Sequence, residues 1–223
     1  MKLLKRISIF LCLFLCFFSL KVFAEEEFFE KTSILIDPGH GGIDGGARSK
    51  NGTLEKDLNL EISKRLKDSL IKRGYKVSMT REEDLELSSK KREDLDLRCL
   101  KKKEVKSDIF ISIHQNIFPK PTSKGAQIWY SSNEKSKLLA ENIQSSIKEN
   151  LQPNNNRLSK DAKGDYKILK DGNLGANIII ECGFLSNYDD EANLKSGEFQ
   201  QKLADSIVIG VERYNEFNKN NAE

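Results

Sequence analysis

Cysteine, histidine and net charge are all scarce in this chain of 223 residues. Of its four cysteines, Cys12 and Cys16 fall in an apolar leader, and only Cys99 and Cys182 lie beyond it. A disulfide scaffold is therefore excluded, and one bridge between such distant segments is a weak expectation. The formal charge is +3, and setting aside Lys2, Lys5, Arg6 and Lys21 of the leader leaves about −1. That balance offers no footprint for nucleic acid or for an anionic membrane. The single long apolar run, Ile7 to Leu20, falls short of the ~20 residues of a membrane helix. There is no internal repeat and no linker to a second domain. Only two histidines exist, His40 and His114, so any site that needs two imidazoles must bring these together.

Residues 1–24 read as a secretory signal: a basic start, an apolar middle, and Val22-Phe23-Ala24 as a small-residue cleavage site. An uncleaved anchor is the alternative, and bulky Leu11 and Leu15 before the two cysteines argue against lipid attachment. No stable membrane span is expected once the signal is removed. Residues 25–32 form a short lead, 33–217 the folded domain, and 218–223 a polar tail. The 199 residues after the signal fit one domain with a sizeable core, and the many Lys, Asn and Glu fit its solvated surface.

Ser33 to Asp37 reads as a buried strand, after which Pro38 and five glycines force an irregular turn with His40 at its crest. Leu54, Leu58, Ile62, Leu66 and Leu70 recur at helical spacing, and Gly74 stands where a C-terminal cap belongs. Further along, Tyr75–Thr80, Asp108–Ile113, Ala126–Tyr130 and Asn177–Glu181 read as strands. Ser88–Lys103, Glu134–Leu151 and Phe199–Phe217 read as helices, 152–165 as a polar loop, and Ile168-Leu169 as the start of a short strand. The alternation predicts an α/β fold: a single domain with a twisted, mostly parallel sheet and helices on both faces.

Both histidines fall at the carboxyl ends of strands, where α/β proteins build sites. Two imidazoles, one carboxylate and a position left for water suit a catalytic zinc. Glu55 is the acid chosen, since it starts the helix that the glycine turn leads into. On spacing alone it fits equally well as a first-turn acid favoured by the helix dipole. Glu181 closes the apolar run 178–180, a costly place for an acid unless it is paired or works. Cys182 points to the opposite face of that strand. Asp37 and Asn116 fit either as groups that orient the histidines or as turn caps. The turn lacks the Gly-Lys-Ser/Thr of a phosphate loop, and Asp44 stands where a dinucleotide fingerprint needs its third glycine.

Four stretches in order, Asp37-Pro-Gly-His-Gly-Gly42, Leu54-Glu-Lys56, Ser112-Ile-His-Gln-Asn116 and Glu181-Cys-Gly-Phe-Leu-Ser-Asn187, resemble the motifs of the zinc-dependent N-acetylmuramoyl-L-alanine amidases, the type-3 amidase family. The resemblance implies one zinc held by His40, Glu55 and His114, with Glu181 as the catalytic carboxylate. It also implies a substrate: the amide between the lactyl group of N-acetylmuramic acid and L-alanine in peptidoglycan. The chain departs from many members at Ile43-Asp-Gly45, where they carry proline, and at Gln115, where they carry a small residue. The interval between His114 and Glu181 leaves no room for the blocking helix of some members. A lone exported domain resembles the sporulation and germination types that act on spore cortex, and the expected location is the cell wall or cortex. A zinc carboxypeptidase on wall peptides, or an inactive wall-binding protein, are the alternatives. With no plug and no wall-binding repeat in view, a separate activator protein is the expected means of control, or else the timing of synthesis.

Overall fold

The apolar runs become strands and the amphipathic runs become helices. In chain order they are β1 (Ser33–Pro38), α1 (Glu55–Lys72), β2 (Lys76–Met79), α2 (Lys91–Glu104), β3 (Ile109–Asn116), β4 (Gln127–Tyr130), α3 (Glu134–Asn150), β5 (Lys160–Asp161), a 3-10 turn (Lys167–Leu169), β6 (Ala176–Phe184), α4 (Tyr188–Leu194) and α5 (Gly197–Asn220). The computed structural model describes residues 32–220 apart from 171 and 173. The signal at 1–24 and most of the lead lie outside the described residues.

The sheet has six strands in the order β2-β1-β3-β6-β4-β5. β2, β1, β3 and β6 run parallel, whereas β4 runs antiparallel to β6 and carries β5 beside it. Parallel strands must be covered on both faces, which is why β1, β3 and β6 are so uniformly apolar. On one face Ile34, Ile36, Ile111, Ile113, Ile178 and Ile180 meet the apolar stripes of α1, α3 and α5. On the other, Leu35, Phe110 and Ile179 meet Cys99 of α2 and Ile168 and Leu169 of the 3-10 turn. Because β1, β3 and β6 are parallel neighbours, their carboxyl ends, bearing the proposed site residues, emerge along one edge.

Several elements differ from the sequence reading. Ile168-Leu169 forms a 3-10 turn and not a strand, and its two buried apolar residues plug the second core. The edge position goes to Lys160–Asp161 inside the expected loop, a two-residue polar strand that carries no apolar signal. α4 was not read at all, since its seven residues lack an apolar stripe; it is started by Asn187, whose side chain accepts the Asp190 N–H at 3.0 Å. Not every lysine is solvated either: Lys102 is fully buried, donates to the Ile168 carbonyl at 2.6 Å and lies 4.3 Å from the Phe110 ring centre. It ties α2 to the 3-10 turn.

α5 crosses α3 closely at Gly210, where an added Cβ would stand 2.5 Å from the Ile143 Cα. Helix propensity alone favours alanine over glycine by ~1 kcal/mol. Overpacking against backbone typically costs ~1–3 kcal/mol, so the overlap wins. Gly210→Ala is expected to lower stability by about 1–2 kcal/mol in urea melts; a rise in the midpoint would show that the two helices can separate freely.

Candidate active site

The site is built on the turn after β1, the first residue of α1, and the ends of β3 and β6. His40 adopts a left-handed backbone (φ 61°), uncommon for a non-glycine residue, which aims its ring back over the strand ends. Two buried arginines hold this conformation. Arg81 donates to the Pro38 and Gly39 carbonyls at 3.0 and 3.1 Å, and Arg98 to the Pro38 and His40 carbonyls, both at 2.9 Å. Arg98 is held in turn by Asp37 at 2.7 Å and Asp94 at 2.6 Å. Burial pushes the Asp37 carboxyl up, but Arg98 and the Thr80 and Ser112 hydroxyls outweigh it and bring its pKa to about 2. Asp37 therefore acts on the turn through Arg98 and touches neither histidine. Asn116 contributes its carbonyl, which accepts the Leu185 N–H at 2.8 Å.

Glu55 is the hub of the site. Its Oε1 stands 2.9 Å from His114 Nδ1 and accepts the Gln115 N–H at 3.0 Å, while its Oε2 accepts the Ala47 N–H at 2.7 Å and faces His40 Nε2 at 3.3 Å. Candidate ligand atoms of His40, Glu55 and His114 all lie within 4.8 Å of one another, and the two imidazole rings are 5.1 Å apart, edge to face. Neighbouring glycines clear the space. A Cβ on Gly39 would stand 2.2 Å from the His114 ring, and one on Gly46 would stand 2.6 Å from Glu55 Oε2.

The donor set fits a divalent cation. Asp44 Oδ2 lies 2.9 Å from His40 Nδ1, and a carboxylate can only accept, so that nitrogen carries the proton and Nε2 turns a lone pair toward Glu55. A lone pair facing a carboxylate is repulsive unless positive charge lies between them, whether a proton or a metal ion. A carboxylate that fixes the tautomer of a ligating histidine is also the usual support of such a centre. Without metal the proton fills this role: burial depresses the His40 imidazole, but Glu55 and Asp44 outweigh it and raise its pKa to about 8. Burial likewise raises Glu55, but hydrogen bonds from His114 and His40 hold it well below the usual carboxylate range.

Glu181 is the cross-strand partner of His114. Its Oε2 is buried and has no hydrogen-bond partner among the described residues. Burial raises its pKa to about 7; His114 opposes the rise and Glu55 adds to it. One edge thus gathers three candidate ligands and a carboxyl whose pKa is raised to about 7. Cys182 lies in the opposite core, fully buried, with its thiol pushed well above the ordinary thiol range by burial, which removes it as a nucleophile. Arg81, Arg98 and Asp44 were not identified from sequence as parts of the site. Asp44 had one legible signal, a carboxylate four residues after a histidine within a glycine turn; the arginines had none, because surface and buried arginines read alike.

The raised pKa of Glu181 carries a consequence for stability. Below the ordinary value of 4.5 the folded and unfolded chains both hold the proton, and between 4.5 and about 7 only the folded chain does. Stability is therefore lost as pH rises through that window, by on the order of 3 kcal/mol for a shift of this size. In chelator-treated protein Glu181→Gln should raise the melting temperature at pH 8 and leave it nearly unchanged at pH 4. An equal effect at both pH values would show that the buried charge is not its cause.

A profile described as N-acetylmuramoyl-L-alanine amidase matches residues 34–213. The germination-specific N-acetylmuramoyl-L-alanine amidase of Bacillus subtilis (strain 168) is 39% identical over 193 residues, covering 81% of this chain and 78% of that protein. The probable cell wall amidase LytH of Staphylococcus aureus is 32% identical and covers 82% of this chain and 58% of its own length. The CwlD amidase of Clostridioides difficile, solved in complex with the GerS lipoprotein, superposes with a TM-score of 0.81 at 35% identity, over 84% of this chain and 100% of that one.

Proposed function

The chain belongs to the N-acetylmuramoyl-L-alanine amidase family, and from that premise we propose that it hydrolyses the amide between the lactyl group of N-acetylmuramic acid and L-alanine in the peptidoglycan of spore cortex. The observation that carries this reading is Glu181, a half-buried carboxyl whose buried Oε2 has no partner among the described residues and whose pKa is raised to about 7, beside the His40, Glu55 and His114 cluster. One zinc ion per chain is the expected cofactor, held by those three residues. When bound it supplies Lewis-acid polarisation of the carbonyl and a water that is nucleophilic at neutral pH.

The chain's own groups do the rest. Glu181 accepts a proton from the attacking water and returns it to the departing nitrogen of L-alanine, and a proton affinity near the working pH suits both transfers. Asp44 keeps the His40 tautomer, while Arg81 and Arg98 keep the turn that aims it. The products are a free stem peptide and a glycan with a bare lactyl group. Residues 1–24 serve as the export signal and 33–217 as the catalytic domain, which places the activity outside the cytoplasmic membrane, in wall or cortex.

His40→Ala and His114→Ala are expected to lose zinc and activity together, and Glu181→Gln to keep zinc and fold while activity falls by roughly 10²–10⁴. Elemental analysis and the masses of products from purified muropeptides check this. Full zinc occupancy in either histidine variant would refute the ligand set. Loss of a terminal D-amino acid, in place of release of the whole stem, would identify a carboxypeptidase, and zinc binding without turnover a wall-binding protein.

Control is proposed to come from a separate protein, supported by the GerS complex of the CwlD relative. A partner that favours the metal-competent state must raise zinc affinity by the same coupling free energy. Purified domain with extract of the producing cells should show a higher specific rate and tighter zinc binding than domain alone; equal values in both samples would leave timing of synthesis as the control.

A further inference from the structure

Beside His40 lies a pocket of about 250 Å³ that the proposed proton transfers do not use. Its walls come from the glycine turn, through Ile43 and Asp44, from Glu86, Ser88 and Ser89 after β2, and from Lys91 at the start of α2. It opens on the α2 side of the sheet. His114 and Glu181 point to that side too, since they alternate in step with Phe110 and Ile179, which pack under α2.

The direction of the substrate follows from the order of the strands. Across the edge come His40 after β1, His114 on β3 and Glu181 on β6. Glu181 returns its proton to the leaving nitrogen, so the peptide half of the substrate lies on the β6 side. The other substituent of the carbonyl carbon, the lactyl ether that joins the sugar, must depart the opposite way, past His40. The geometry points to this pocket as the subsite for the muramyl sugar, with Ser89 and Lys91 as its hydrogen-bond donors. This assignment rests on the amidase reading above.

The chemistry of the walls agrees. The Ser89 hydroxyl and the Lys91 ammonium make no hydrogen bond among the described residues, and both are exposed. Glu86 uses Oε2 to accept the Ile43 N–H at 3.2 Å and keeps Oε1 available. A hydroxyl, an ammonium and a carboxylate oxygen are the partners that the hydroxyl and acetamido groups of a neutral amino sugar require. Ile43 is 74% exposed at the rim and offers an apolar contact for the C–H face of a ring. Sites for drug-sized ligands run roughly 300–1,000 Å³; this smaller pocket suits one sugar unit and not a stem peptide.

The test compares two substrates that carry the same stem peptide, one on the natural muramyl disaccharide and one on a lactyl group without sugar. In the full-length wild-type enzyme the disaccharide substrate should have the higher kcat/KM. Ser89→Ala combined with Lys91→Ala should shrink that preference about tenfold, the worth of one or two hydrogen bonds, mainly through KM. The peptide-free disaccharide should shift the backbone amide resonances of Ser89 and Lys91 in the wild type. A preference left unmoved, equal losses on both substrates, or a loss that follows the length of the peptide and not the presence of sugar would each overturn the subsite. If the wild type releases no stem peptide from either substrate, the amidase reading itself fails, an outcome distinct from these three.

Discussion

A single carboxylate holds the working edge of this protein together. Glu55 joins the turn after β1, the start of α1 and the end of β3 by accepting from the Ala47 and Gln115 amides while facing both histidines. A buried anion of this kind is tolerated only when positive charge or donors surround it. The three segments can therefore fold against one another only if a cation, proton or metal, completes the cluster. A metal that supplied this charge would have its binding coupled to local folding, because the unfolded chain holds no such site.

Behind the cluster lies a layer that holds the turn through its backbone carbonyls. Arg98 spends its buried charge on Asp37 and Asp94 and its remaining donors on the carbonyls of the turn. Burying a guanidinium is unfavourable unless its charge and donors are met, so this arrangement tolerates little variation: β1, α2 and the His40 backbone must all be in place at once. The strained backbone of His40 persists because its surroundings over-determine it.

Much of this was legible in the sequence, for physical reasons that differ by element. The parallel strands announce themselves because double-sided burial demands unbroken apolar runs, and α1 because Leu58, Ile62, Leu66 and Leu70 share one face. His40, His114 and Glu181 stood out because imidazoles are so few and because an acid at the end of an apolar strand needs a reason. The convergence of Glu55 on both histidines could be guessed from its place at a helix start, but spacing alone did not separate it from an ordinary first-turn acid. What stayed hidden has no local pattern: β5 is a polar edge strand of two residues, α4 has no apolar stripe, and the buried roles of Arg81, Arg98 and Lys102 depend on partners far away in sequence.

Cys99 and Cys182 lie in different cores. Cys182 sits among the residues under α1, α3 and α5, and Cys99 on α2, facing the other side of the sheet. The sheet itself stands between them, and both are buried and in no disulfide among the described residues. They can meet only in a chain that has lost its central strands. The folded domain accordingly needs no oxidant to complete it, and in an oxidising medium its native state offers no route to a wrong crosslink between these two.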